Sequence, residues 1–196
     1  MNELDLSRLT QLKVLAELPI FGYNFSEIDP ILELSREAIN DVRASHPGST
    51  QSNLTAEYMS PWKSHRLTNK FTPLIEFMAA LILKTSKDFL ATDLKSLNFD
   101  LAVSDCWGAI YEKSNYAAPH WHFPSDFSTV IYLDVDDGAA PIIFANSLVV
   151  KPISGTALVF PGNLLHHVPE TDGRRVIVAI NFMKIPNFDL ASIKPL

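Results

Sequence analysis

Two histidines separated by one residue, and a third histidine later in the chain, are the side chains best suited to bind a metal. His120 and His122 flank Trp121, and on a β-strand residues i and i+2 point to the same face. His166 follows the next β-rich segments, where a loop can bring a third imidazole to the same point. We therefore predict that these three histidines bind one metal ion and leave its opposite side open for substrate or O₂.

The other histidines are expected to have ordinary roles. An isolated histidine is usually a surface residue or a hydrogen-bonded core residue, and we interpret His46 and His65 in this way. His167 is adjacent to His166 in the sequence, so its side chain should point away from the predicted metal.

Arg175 is the second candidate for chemistry. It begins a segment in which both alternating sets of residues are apolar, which predicts a strand that is buried on both faces. A buried guanidinium needs a partner, which is either a carboxylate of the protein or the carboxylate of a bound small molecule. Tyr111 and Tyr132 lie in β-rich segments and are candidates to contact the same ligand through their hydroxyls, with core packing as the alternative.

Two helices are predicted in the first half of the chain. Asp29-Pro30 is a typical N-cap and first-turn pair, and apolar residues follow at helical spacing until Pro47. Thr72 precedes a proline in the same way, and the mostly apolar segment 74–90 predicts a second helix.

The second half of the chain has the pattern of a β-rich fold. Short segments rich in β-forming residues are separated by turn residues, including 136–138 and 171–173. We predict a mainly β, α+β protein with a jelly roll whose outer face is covered by the N-terminal helices. The predicted single domain covers 1–196, with a mostly helical part (1–96), a jelly-roll core (97–184) and a C-terminal tail (185–196). The predicted strands are Phe99–Val103, Phe127–Asp134, Leu148–Pro152, Thr156–Phe160 and Arg175–Phe182.

Composition argues against several classes of partner. The formal charge is −6, from 16 basic and 22 acidic residues, and the basic residues are scattered, so nucleic-acid binding is not expected. The longest apolar run, Phe77–Leu83, is too short to span a membrane. The chain begins with acidic residues where a secretion signal is basic, and its only cysteine, Cys106, has no internal disulfide partner, so we expect a cytoplasmic protein. The sequence does not indicate an oligomeric state.

Four segments between residues 99 and 183 follow one another as they do in a known family. WGAIYEKSNYAAPHWH is similar to that family's approach to its first metal-binding histidine, and FSTVIYLD to the next strand, whose tyrosine contacts the cosubstrate. ISGTALVFPGNLLHHV and RRVIVAINF are similar to the segments with the distal histidine and the cosubstrate-binding arginine. In this order the segments resemble the 2-oxoglutarate- and iron(II)-dependent oxygenases, most of all the small members related to prolyl hydroxylases.

The resemblance implies a double-stranded β-helix, a form of jelly roll, that binds Fe(II). It implies that His120 and His166 are metal ligands and that Arg175 binds the distal carboxylate of 2-oxoglutarate with help from Tyr132 and Tyr111. With O₂ as co-reactant, such an enzyme releases succinate and CO₂ and hydroxylates a C–H bond. A peptide side chain or a small metabolite is the expected primary substrate.

Two positions depart from the family pattern and leave alternatives open. The family usually has Asp or Glu where this chain has His122, and Asp126 is an alternative third ligand. Ile177 stands where a hydroxyl residue is often found two positions after the arginine. A cupin-type protein with three histidine ligands and no 2-oxoglutarate, or a β-sandwich binding module without catalysis, would also fit the pattern.

Overall fold

Apolar residues at helical spacing place two helices in the first half of the chain. In the computed structural model, which describes residues 17–25 and 30–187, α1 spans Pro30–Ser45 and α2 spans Thr72–Phe89. Asp29, the predicted N-cap of α1, lies outside the described residues. The capping prediction for α2 was wrong: Phe71 occupies the N-cap position without a side-chain hydrogen bond, and Thr72 is already helical. The proline at the start of α2 provided the correct part of the signal.

Eleven strands are found in the described residues, more than the five that the sequence predicts. β4 and β11 are longer than predicted, and six strands of two to five residues are not among the five predicted ranges. The strands are β1 (Phe21–Asn24), β2 (Leu54–Thr55), β3 (Tyr58–Met59), β4 (Phe99–Tyr111), β5 (Tyr116–His120), β6 (Phe127–Val135), β7 (Ile142–Phe144), β8 (Leu148–Val150), β9 (Thr156–Pro161), β10 (His166–Val168) and β11 (Arg175–Pro186).

The strands form two antiparallel sheets. The larger sheet has the order β1-β9-β6-β11-β4-β3, and the smaller sheet has the order β2-β5-β10-β7-β8. β1 to β3 come from the part of the chain that was expected to be mostly helical, so this part contributes edge strands to both sheets as well as helices. The predicted core boundary at residue 184 falls inside β11, and residues 188–196 of the predicted tail lie outside the described part.

Side-chain alternation along β11 divides the core into two layers, as the sequence predicts. Val176, Val178 and Ile180 pack against the residues of α1 and α2 on the outer face of the larger sheet. Ile177 and Ala179 pack in the space between the two sheets. The mainly β prediction with helices on one outer face is confirmed, and the inner face of the larger sheet is left to line a cavity.

One glycine sets how closely α1 approaches the larger sheet. A Cβ atom at Gly108, in the middle of β4, would overlap the side chain of Ile39 on α1. Both residues are fully buried or nearly so, and Ile39 belongs to the core between helices and sheet. The absence of a side chain at position 108 therefore allows the helix to pack directly on the strand.

The two predicted turns lie together at one end of the sheets. Gly138 has a φ of 84°, a conformation that glycine adopts without strain. Its carbonyl oxygen accepts hydrogen bonds from the backbone N–H groups of Asp172 (3.2 Å) and Gly173 (3.0 Å).

No helix in the described part of the chain is long and apolar enough to cross a membrane.

Candidate metal centre

The three predicted histidines converge between the two sheets. One potential ligand atom from each of His120, His122 and His166 lies within 4.8 Å of the other two. The ring centroids of His120 and His166 are 4.3 Å apart, and each is 5.0 Å from that of His122. This is a spacing at which three imidazoles can share one ion.

Strand pairing brings two of these rings together. His120 is the last residue of β5 and His166 is the first of β10, and the two are directly opposite in the antiparallel register. His166 was expected in a loop, and the short strand β10 explains its position instead. His122 lies beyond the end of β5, so the predicted i, i+2 strand geometry does not extend to it. Its backbone N–H donates to the carbonyl of Gly162 (2.7 Å), which holds the segment beside the cavity.

Backbone carbonyls select the proton position on two of the rings. The Nδ1 atom of His120 is 2.7 Å from the carbonyl oxygen of Ala118, and that of His166 is 2.8 Å from the carbonyl oxygen of Leu164. Because a carbonyl can only accept, Nδ1 must carry the hydrogen in both rings. The lone pair on Nε2 is then free to bind a metal.

Burial keeps all three imidazoles neutral. Loss of hydration lowers the pKa of His120. Burial, with added repulsion from the neighbouring rings, lowers the pKa of His122 to about 3 and that of His166 to about 4. Because their pKa values are lowered, these imidazoles are uncharged at neutral pH. Protons therefore compete little with a metal for the nitrogen lone pairs.

Asn181 supports the third histidine and was not predicted to be functional. Its side-chain nitrogen lies 3.4 Å from Nδ1 of His122, and its carbonyl oxygen accepts from the hydroxyl of Ser128 at 2.9 Å. Both supporting residues are buried. The sequence contained a signal for this role, because alternation along β11 places Asn181 on the same inward face as Arg175.

Asp126, the alternative third ligand, is not part of the converging group. One oxygen of its carboxylate accepts from the backbone N–H of Lys184 at 2.7 Å, and the other is 3.0 Å from Nζ of the same residue. The group that converges is therefore composed of three histidines. The bound lysine explains why a carboxylate only four residues after His122 does not join it.

Arg175 is buried without an acidic partner. Its residue is 2% exposed, and no carboxylate among residues 17–25 and 30–187 pairs with it. One terminal nitrogen donates to the carbonyl of Ala140 (3.0 Å), the guanidinium lies 4.1 Å from the ring centroid of Tyr111, and Nε has no hydrogen-bond partner. A backbone carbonyl and an aromatic ring stabilise this charge without neutralising it.

The two tyrosines lie next to this arginine because of strand register. Tyr111 is directly opposite Arg175 on the neighbouring strand, and Tyr132 is opposite Ile177 on the other side. Burial raises the pKa of both tyrosines, although Arg175 acts against this effect, so both hydroxyls remain protonated donors. The hydroxyl of Tyr132 has no partner in the described part of the molecule.

The histidines, Arg175 and the two tyrosines line one cavity. Its volume, counted as the space open to the centre of a water-sized sphere, is about 50 Å³. The indole N–H of Trp107, also in its lining, is buried without a hydrogen-bond partner. Arg175, Tyr132 and Trp107 thus each have a buried hydrogen-bond donor without a partner. A bound ligand with several acceptor oxygens would satisfy these donors. The rest of the lining is mostly apolar: Leu54, Ala117, Thr129, Val130, Ile142, Phe160, Val168, Ile177 and Ala179.

The histidines that were given ordinary roles lie outside the cluster. His46 is exposed and His65 is half-buried. His167 lies between two inward-facing residues of β10 and faces the other side of the sheet, where it lines a shallow surface depression with Tyr116.

Comparison with known proteins connects this fold to a group of enzymes. No protein-family model and no curated protein sequence matches the chain. Solved structures do match: a prolyl-4-hydroxylase from Pseudomonas putida is 16% identical with a TM-score of 0.58, over 91% of this chain and 95% of that one. A prolyl hydroxylase from Trichoplax adhaerens, in complex with a hypoxia-inducible-factor peptide, is 13% identical with a TM-score of 0.62, over 84% and 83%.

A third similar structure is that of an epimerase rather than a hydroxylase. The non-heme α-ketoglutarate-dependent epimerase SnoN, from nogalamycin biosynthesis, is 14% identical with a TM-score of 0.61, over 90% of this chain and 87% of that one. At these identities the likeness establishes the fold, which is the double-stranded β-helix of 2-oxoglutarate- and iron(II)-dependent oxygenases. The resemblance that the sequence suggested is thus confirmed at the level of the fold, and the chain carries a three-histidine cluster within it.

Proposed function

We propose that this protein is an Fe(II)- and 2-oxoglutarate-dependent oxygenase. The observation that carries the proposal is one cavity that contains three converging neutral imidazoles and a buried arginine without a carboxylate partner. The similar solved structures support it, since all have the same fold. O₂ and 2-oxoglutarate would be consumed, and succinate and CO₂ released.

His120, His122 and His166 would hold the metal. Imidazole nitrogens are suitable ligands for Fe(II), and two of these rings already present a bare Nε2. The bound metal supplies the activation of O₂. The protein's own contribution is to orient the rings through backbone carbonyls and Asn181 and to surround the site with apolar side chains that exclude water.

Arg175 would bind the distal carboxylate of 2-oxoglutarate. A guanidinium can donate two parallel hydrogen bonds to a carboxylate, and the unpartnered Nε of Arg175 is one such donor. Tyr132 would add its free hydroxyl, and Tyr111, stacked on the guanidinium, would hold it in place. Ile177 has no hydroxyl with which to bind this carboxylate, so the hydroxyl contact would come from Tyr132.

The primary substrate would be a peptide side chain or a small metabolite with a C–H bond to be oxidised. One similar structure contains a bound peptide, which supports the first of these. A cytoplasmic setting belongs to the same proposal, because Cys106 is buried and unpaired.

The direct test is binding of 2-oxoglutarate to the Mn(II)-loaded protein, measured by titration calorimetry for the wild type and for Arg175→Leu. Loss of one partner of a buried charge pair costs about 2–5 kcal/mol, so we expect at least a roughly 30-fold loss of affinity with the metal retained. Arg174→Leu is the matched control, because Arg174 is partly exposed and pairs with Glu112. Replacement of Mn(II) by Fe(II) in air, with ascorbate as the two-electron donor in place of the primary substrate, should then yield succinate, CO₂ and water.

Two outcomes would contradict the proposal and favour an alternative. If the metal binds but 2-oxoglutarate does not, the chain is better described as a cupin-type three-histidine metalloprotein. The observation that favours this alternative is that the converging group consists of three histidines and no carboxylate. If no metal binds and His166→Ala behaves like the wild type, the cavity belongs to a non-catalytic binding module.

A further inference from the structure

The three-histidine centre has no negative charge of its own. His120 and His166 hold their hydrogens against backbone carbonyls, so each offers a neutral nitrogen. Asp126 is engaged by Lys184. Among the described residues that line the cavity none is Asp or Glu. A divalent ion bound here would keep its full double charge.

The same cavity already contains one uncompensated positive charge. The guanidinium of Arg175 is buried against the carbonyl of Ala140 and the side chain of Tyr111, and neither group carries a negative charge. A metal ion would raise the charge of this enclosed, mostly apolar space further. Charge that is buried without compensation is costly, and the cost falls when an anion enters with it. A dianion with one carboxylate at each end has the charge that would compensate the two positive centres.

We infer that the metal ion and a dicarboxylate bind this cavity as a mutually dependent pair, each held weakly without the other, because His122 occupies the position at which a carboxylate would compensate the metal. The inference rests on the proposed function, since it takes 2-oxoglutarate as the dicarboxylate. Coupling of this kind is reciprocal: the factor by which 2-oxoglutarate tightens metal binding equals the factor by which the metal tightens 2-oxoglutarate binding.

The experiment measures Mn(II) affinity by titration calorimetry with and without 2-oxoglutarate, corrected for the complex that the two form in solution. For the wild type we expect 2-oxoglutarate to tighten Mn(II) binding by about tenfold or more. His122→Asp places a negative charge at the centre, so this variant should bind Mn(II) more tightly alone and show a several-fold smaller coupling. His122→Asn is the matched control, since it has the same size and no charge, and it should not reduce the coupling.

The outcomes separate this inference from the proposed function. Equal Mn(II) affinity with and without 2-oxoglutarate, in a protein that binds both, overturns the inference alone, and so does equal coupling in His122→Asp and His122→Asn. A wild type that binds Mn(II) but no 2-oxoglutarate overturns both. Circular dichroism checks that each variant is folded. The variants His120→Asp and His120→Asn allow the same comparison of coupling at a second proposed ligand position.

Discussion

At the scale of single residues, the properties of the cluster come from burial and from hydrogen bonds to the backbone. His166 is 4% exposed, and its Nδ1 hydrogen is held by a carbonyl of its own segment. An ordinary surface histidine takes up a proton near neutral pH, whereas this one resists protonation. A residue that is ready for a metal in this way makes the metal-free protein sensitive to acid.

The metal-free protein should lose stability as the pH falls below about 6.5. The pKa of His166 is lowered to about 4 by burial, so between these values the unfolded chain binds a proton that the folded chain does not. In this range each such histidine lowers the free energy of unfolding by up to about 1.4 kcal/mol for each unit by which the pH falls. Above about pH 6.5 the folded and unfolded chains bind the same number of protons, so the effect vanishes.

Urea unfolding of the metal-free protein at about pH 7 and about pH 5 measures this effect. In His166→Gln the loss on acidification should be smaller by about 1–2 kcal/mol. His46→Gln is the control, because His46 is exposed and lies outside the cluster, and it should keep the wild-type loss. The same acid loss in all three proteins would show that burial of His166 does not have the expected effect.

At the scale of elements, the contact between α1 and β4 determines how the helices cover the larger sheet. Gly108→Ala should lower the free energy of unfolding by about 1–3 kcal/mol, because the added methyl group overlaps Ile39. Urea unfolding checks this value. Gly48→Ala serves as the control, since a Cβ there meets no atom within 4 Å, and it should change stability by less than about 0.5 kcal/mol.

A double-mutant cycle tests the cause of that loss. In an Ile39→Ala background the overlapping atoms are absent, so Gly108→Ala should cost clearly less than it does in the wild type. An equal cost in both backgrounds would mean that the strand itself, rather than the close approach of the helix, disfavours a side chain at position 108.

The elements also show where sequence-based inference succeeds and where it ends. Both helices and the alternation along β11 follow from local patterns. β10 has only three residues, and β5 contains a proline, so neither shows the periodicity of a strand. They form because neighbouring strands of the smaller sheet pair with them: β2 and β10 pair with β5, and β5 and β7 pair with β10. Their register places His120 opposite His166, and this could not be read from local sequence.

The loop after β5 shows the same limit at the candidate metal centre. Whether His122 or Asp126 completes the cluster depends on the path of a few residues outside any strand. That path is set by the hydrogen bond from His122 to Gly162 and by the engagement of Asp126 by Lys184. Both partners are distant in sequence, so spacing alone left two candidates.

At the scale of the whole molecule, the fold provides a scaffold and does not determine the reaction. The similar structures include hydroxylases and an epimerase with the same two-sheet architecture. In this chain the architecture places the histidine cluster and Arg175 in one cavity between the sheets. We propose that this cavity holds one metal ion and one dicarboxylate together.

A crystal structure of the protein grown with Mn(II) and 2-oxoglutarate tests this claim most directly. We expect one ion bound by an imidazole nitrogen of each of His120, His122 and His166, with the distal carboxylate of 2-oxoglutarate on Arg175 and the hydroxyl of Tyr132. An ion bound elsewhere, or an Arg175 that makes no contact with the ligand, would contradict it.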